Sequence, residues 1–341
     1  MDDFDRMIPK FMTPISELGE RIDDSLYLLR KDGTFIFTHG YYHPHRGRII
    51  GKIIHYPSAS GDEMIWGRRY QAMHKKWQDG RHVAIQNDAQ LERAFEIDPS
   101  LDPRDSRPLV ADYTLEFPLD DFVGFFEPHH CLLECVKLYP QVGEWASATA
   151  RLMNFPIERM GVTGSLAFGI VEEADMDFDV IFRGDLEENN RALTKIYEIA
   201  AQPGKKVFEF GKSWPIRVYY GDILVCPFFV YRNWEDIPLA DAEITLERED
   251  ISGTGLVSDD FHNSYLPIYL QLEEVEIGGN PFADIPLISY DGSIRGEYRN
   301  GDRIRFEGKI LKVKNKKGEF PVIAVDIYYN ISLIQEEGPR S

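Results

Sequence analysis

The sequence is poor in cations, in cysteine and in long apolar runs. Across 341 residues, 38 Lys and Arg stand against 57 Asp and Glu, a formal net charge of −19. Affinity for phosphate backbones comes largely from Lys and Arg, so a general nucleic-acid binder is disfavoured, as is a polybasic membrane-surface protein. The longest uninterrupted apolar stretch, Ile223 to Tyr231, has nine residues and contains Pro227. A bilayer span takes roughly 17–25 residues, so no transmembrane helix is expected. Cys131, Cys135 and Cys226 cannot all pair within one chain, which fits a reduced, cytoplasmic protein. The opening MDDFDRMIPK is acidic and lacks an apolar h-region, so no secretory leader is expected. Internal repeats and low-complexity tracts are absent as well.

What is present reads as globular: 43% apolar and 28% charged residues, in a length suited to two or three domains. Three zones stand out. Residues 1–125 form a β-rich N-terminal region. There, Thr34–Thr38 after Asp32-Gly33 suggests a hairpin and Arg48–Tyr56 a strand, while Glu63–Trp77 has the spacing of an amphipathic helix. Asp98–Pro108, with three prolines, reads as loop. Residues 126–235 alternate helical and strand patterns, a small α/β unit with a mixed sheet. Residues 250–341 read as a small C-terminal β-barrel, OB-like, with strands at Arg303–Phe306, Lys309–Val313 and Pro321–Tyr328. Asp291–Asn330 carries nine basic and six acidic residues, a local net of +3. The basic segment 303–317 is therefore a candidate RNA contact, against the plainer reading of a solvated hairpin. The fold class expected is α+β.

Chemistry concentrates in Met160–Phe182. A short apolar strand runs into Gly164-Ser165, Gly169 follows, and Asp177 and Asp179 come with one apolar residue between them. On a strand, i and i+2 share a face, so both carboxylates project together while Phe178 and Val180 point to the core. Two close carboxylates repel unless a cation lies between them, and Mg²⁺ is a hard ion that prefers oxygen. Glycine lets backbone N–H groups approach an anion, and the Ser165 hydroxyl adds a donor. Competing motifs fail. Ile170-Val171 follow Gly169 where a Walker loop needs Lys and Ser/Thr. Thr163 and Ala167 flank Ser165 where a nucleophile elbow needs glycines. Val180 and Leu186 fall where an EF-hand from Asp175 needs Gly and Glu.

Gly164-Ser165 with Gly169, followed by Asp177-x-Asp179 on a strand, resembles the signature of the DNA polymerase beta nucleotidyltransferase superfamily, over about residues 140 to 232. The resemblance implies a central polymerase-beta-like domain in which Asp177 and Asp179 bind two Mg²⁺ ions, with Mn²⁺ as a substitute. It implies that Gly164 and Ser165 hold a nucleoside triphosphate such as ATP. A third carboxylate on a later strand is also implied. Asp222, read as a lone acid in an apolar strand, is the candidate and Glu209 the fallback. Arg183, Lys212 and Arg217 are candidate triphosphate contacts. The chain departs from the pattern at Met176, where many members carry serine; Asp175 stands beside it. The activity implied is transfer of a nucleoside monophosphate to an acceptor hydroxyl on a protein, RNA or small molecule, with release of pyrophosphate. The alternative is a non-catalytic nucleotide- or RNA-binding protein on the same fold.

Other groups read more plainly. His39, His43 and His45 lack a second ligand set at zinc spacing and read as loop histidines. His129, His130, Cys131 and Cys135 read as a helix start at Glu127-Pro128 with buried cysteines. Trp66, Tyr70 and Trp77 read as core aromatics before base-stacking ones.

Overall fold

The computed structural model describes residues 3–43, 47–78, 81–85, 87–101, 110–111, 114–171, 177–209 and 212–334. The protein is mixed α+β, with five α-helices among the described residues and sheets of eight, five, seven and two strands. It divides into two compact units, 1–108 with 113–232 and 109–112 with 233–341. No helix among the described residues is long and apolar enough to cross a membrane.

The first unit contains the N-terminal sheet and the five-stranded sheet that carries the motif. In the N-terminal sheet, Tyr27–Arg30 and Phe35–Thr38 form a hairpin, and Phe35–Thr38 pairs in turn with Arg48–Pro57. Gly33 takes φ +90° at the turn, and Asp32 Oδ1 accepts from the Thr34 N–H at 2.9 Å. Glu63–Trp77 is not a helix. Glu63–Ile65 and Arg68–Ala72 pair as a hairpin, and Lys75–Gln78 pairs with Arg81–Ala84. The turn residues Trp66 and Gly67 both have positive φ, +46° and +85°, as a two-residue primed turn requires. A helical spacing of apolar residues cannot survive such a turn, so Gly67 outweighs the period. Residues 102–108 of the expected loop, His45, and the Trp77 side chain lie outside the description.

The five-stranded sheet comprises β1 (Met160–Val162), β2 (Asp177–Gly184), β3 (Lys206–Glu209), β4 (Lys212–Tyr220) and β5 (Ile223–Tyr231). Their spatial order is β1-β2-β5-β4-β3, with β2 and β5 parallel and the other pairs antiparallel. Three helices belong with it: α1 (Pro128–Leu138), α2 (Pro140–Met153) and α3 (Leu186–Ala200). Glu127 caps α1, accepting from the His130 N–H at 2.6 Å; Cys131 and Cys135 are buried inside. Helix α2 ends at Asn154, in the left-handed conformation, before Pro156. Asp185 and Glu188 form a reciprocal capping box on α3, and Arg159 pairs with Glu188 at 2.6 Å. One sheet face packs on helices and their flanks: Phe178 meets Trp145, and Phe182 meets Phe155. The other face meets the N-terminal sheet, where Phe228 contacts Phe37.

In the second unit, Glu243–His262, Ile268–Ile277, Ile285–Ser289, Gly318–Val325 and Arg303–Asn315 pair in that order, and Arg303–Asn315 pairs back onto Glu243–His262. The ring is closed because the first strand, 20 residues long, bends through register shifts and serves two neighbours. Its interior is apolar, with Leu270, Leu272, Leu287, Ile304, Phe306 and Ile323 fully buried. Five of the seven cations of 303–317 face carboxylates: Lys309–Asp326, Lys312–Glu319, Lys314–Glu243, Lys316–Asp241 and Arg303–Glu274.

A polar cluster is folded into the N-terminal sheet. His55 Nε2 lies 2.7 Å from Glu63 Oε2, and Lys75 Nζ lies 3.2 Å from Glu63 Oε1. Burial alone would raise the Glu63 carboxyl, but the His55 hydrogen bond and the charges of His55, Lys75 and His74 hold it down to about 2. Burial, with His55 and Lys75 nearby, pushes His74 down to about 3. Both values lie below the ordinary 4.5 and 6.5, so the unfolded chain takes up protons first as pH falls. The His74 contribution is complete above pH 6.5 and is lost from there toward pH 3; that of Glu63 is lost between pH 4.5 and pH 2. Each fully coupled group costs about 1.4 kcal/mol per pH unit across its window. The urea midpoint is expected to fall steadily between pH 6.5 and 4, and His74→Gln to flatten that fall. An unchanged slope in the variant refutes the assignment.

Candidate functional site

Strand pairing builds the site. In the antiparallel β1–β2 pair, Val162 lies opposite Val180, and the Thr163 N–H donates to the Asp179 carbonyl at 3.0 Å. The chain leaving β1 therefore turns directly over Asp179. Gly164 makes that turn with φ +62°. A methyl group on Gly164 would overlap the Asp179 carboxylate, lying 2.9 Å from its Cγ and 3.2 Å from its Cβ. Only glycine fits, both for its backbone and for its missing side chain. Ser165 is the second residue of the short 3₁₀ turn Gly164–Phe168, which Gly169 closes with φ +76°.

The turn is held from behind by the N-terminal sheet. Thr163 Oγ1 donates to the Ser25 carbonyl at 3.1 Å, and Trp66 Nε1 to the Phe168 carbonyl at 2.7 Å. Phe168 packs against Tyr27 and Phe35. Tyr27 is buried, which raises its phenol well above the ordinary range; the Asp179 charge raises it further. Trp66 thus anchors the motif through its indole, a role that periodicity does not reveal.

Register then decides which side chains stand beside the two acids. Asp177 and Asp179 are partners of Leu224 and Cys226 on β5. Val218 pairs with Val225, so Arg217 of β4 lies across from Cys226 on the same sheet face. Leu224, Cys226 and Val207 form a buried apolar floor, with Trp214 packed on it. Burial raises the Cys226 thiol; Arg217 opposes that shift, while Asp179, Asp177 and Glu209 add to it. For Arg217, burial works against its charge, but Cys226, Asp179, Glu209 and Asp177 together raise its pKa above the ordinary value.

Of the candidate residues, Gly164, Ser165 and Asp179 come together, with Asp177 on the same face of β2. Asp222 does not lie inside a strand. It sits exposed in the Gly221-Asp222 turn between β4 and β5, because Gly221, at φ +60°, breaks the apolar run. Glu209 lies on β3, three strands from β2, or about 14 Å at ordinary strand spacing. Its Oε2 accepts from Arg217 Nη1 at 2.6 Å. Among the described residues no three His, Cys, Asp or Glu side chains converge as a metal-binding group. Arg183 lies four residues along β2 from Asp179, about 13 Å away, and pairs with Asp23 at 3.0 Å. Lys212 and Arg217 both lie against Trp214, 5.6 and 4.2 Å from its ring centre. Asp175 and Met176 fall outside the described residues.

The donor set suits a hard divalent cation such as Mg²⁺ or Mn²⁺ at Asp177 and Asp179, with the Gly164 cradle keeping the Asp179 oxygens clear of a side chain. A second ion lacks a third acid on β5, where Leu224, Cys226 and Phe228 occupy the face of the acids. No family model, curated protein or solved structure matches the chain.

Gly164→Ala is expected to destabilise the fold by about 1–2 kcal/mol through its left-handed backbone alone. By displacing Asp179 it should also weaken Mn²⁺ binding, read by electron paramagnetic resonance, about tenfold. Undiminished Mn²⁺ affinity would show that the turn does not support Asp179.

Proposed function

We propose that this protein is a metal-dependent nucleotidyltransferase, resembling the DNA polymerase beta superfamily, that moves a nucleoside monophosphate from a nucleoside triphosphate to an acceptor hydroxyl. One observation carries the reading: the Gly164 turn seats directly on Asp179, bringing a phosphate-binding bend and a carboxylate pair to one point. Such a coincidence has no evident use in packing, since an uncharged residue at 179 would serve β2 equally well.

In this reading Asp177 and Asp179 would hold a divalent cation, which when bound would supply neutralisation of phosphate charge. Backbone N–H groups around Gly164 and the Ser165 hydroxyl orient the triphosphate, and Arg217 and Lys212 supply positive charge from β4. The acceptor oxygen forms a bond to the α-phosphorus as the bond to pyrophosphate breaks, and the acceptor proton passes to a carboxylate of the pair. The closed C-terminal ring is read as an OB-like barrel. Because five of its seven cations are already paired with acids, segment 303–317 offers RNA a weakened field.

Cys226 favours a second reading, a nucleotide-binding protein without turnover. It stands in register with Asp179, where a third acid would complete a two-ion site. Incubation with α-labelled nucleoside triphosphates, Mg²⁺ and a panel of protein, RNA and small-molecule hydroxyls separates the two. Transfer supports the enzyme, with Asp177→Ala and Asp179→Ala each expected to lower it about 100-fold or more. Saturable triphosphate binding without pyrophosphate release supports the second reading. Absence of both binding and release refutes each.

A further inference from the structure

Glu209, which pairs with Arg217, has no place in the chemistry above, yet the pair lies on the same sheet face as the acids. Arg217 Nη1 donates to Glu209 Oε2 at 2.6 Å. Its guanidinium lies over Trp214 at 4.2 Å, and Trp214 is itself fixed by donating its Nε1 proton to the Glu209 carbonyl at 3.2 Å. The Lys212 ammonium approaches the same ring at 5.6 Å. The guanidinium is therefore held against an aromatic surface, above the buried floor of Val207, Leu224 and Cys226.

Two features set this pair apart from a strand-edge salt bridge. Arg217 and Asp179 are separated by one strand, β5, about 10 Å between backbones, and β5 presents no charge between them. In addition, a guanidinium has five N–H donors in a fixed fork. Among the described residues Glu209 is its one hydrogen-bond acceptor, and the side chain keeps 22% exposure. A carboxylate and a phosphate present similar oxygens to such a fork, and both bind it through charge-assisted hydrogen bonds.

We propose that Glu209 is a built-in stand-in for phosphate, and that the terminal phosphates of a bound nucleoside triphosphate displace it from Arg217. The proposal rests on the nucleotide reading above and adds a regulation of that site. With no nucleotide present, Glu209 keeps the guanidinium neutralised and oriented, so the acids and the arginine do not collapse on each other. On binding, the β- and γ-phosphates take over the fork while Trp214 keeps its plane. The ion pair then sets the discrimination between triphosphate and monophosphate, since a monophosphate seated at Gly164 does not extend to Arg217.

The test is the affinity of the full chain for ATP and for AMP with Mg²⁺, by calorimetry, in wild type, Glu209→Gln, Arg217→Lys and the double variant. Glu209→Gln removes the competing charge while conserving shape. It is expected to tighten ATP about fivefold and leave AMP unchanged. Arg217→Lys keeps the charge but loses the fork; it should weaken ATP, and in its presence Glu209→Gln should bring a smaller gain. ATP affinity unchanged or lowered in Glu209→Gln, or an equal gain in AMP affinity, overturns the proposal while leaving nucleotide binding intact. ATP binding to neither wild type nor Glu209→Gln overturns both.

Discussion

Everything at the candidate site depends on the close approach of a backbone turn to a carboxylate. Pairing of β1 with β2 sets the height at which the chain turns, and the Thr163 N–H fixes it on the Asp179 carbonyl. A glycine with φ +62° then lets the turn descend onto the carboxylate itself. Any side chain at 164 would lift the turn and separate the donors of the bend from the oxygens of the acid. The N-terminal sheet serves the same contact from the other side, through Ser25, Trp66 and the aromatic packing of Phe168. Zones that look separate along the chain thus act as one support.

Around that contact, charge is arranged asymmetrically. The acids stand on β2 and the cations on β4, and the strand between them is apolar on the shared face. Low local polarity strengthens whatever ionic contact forms across it and penalises any charge left alone. This accounts for the shared upward direction of two neighbouring groups: burial holds Cys226 as a thiol, while the nearby acids hold Arg217 firmly protonated. An acid at 226 would have stood in register with Asp179; a thiol instead extends the floor on which Trp214 packs.

The second unit obeys a different constraint. Its first strand is long enough to pair along both flanks, so the ring closes and leaves no open edge between those strands. Four of its lysines, Lys309, Lys312, Lys314 and Lys316, are spent on neighbouring carboxylates along and beside the strands. The local excess of positive charge along the chain is therefore largely cancelled in space by acids from other strands.

The motif was legible in sequence because its physics is local. Gly164 and Ser165 end a strand, and the two acids share a face because strands alternate; neither fact needs a distant residue. Gly33 and the run from Arg48 were readable for the same reason. Trp66–Gly67 misled, since one apolar spacing fits both a helix and a tight hairpin until backbone φ values decide. Long-range register was beyond the sequence. Whether Asp222, Glu209 or Cys226 stands beside Asp179 depends on how three strands align, and a shift of one residue exchanges the faces of a strand. The chain alone thus determined that a glycine-serine bend and paired acids exist. Only the tertiary structure decided that a thiol and an arginine keep them company, because neighbours across a sheet are chosen by packing of the whole layer.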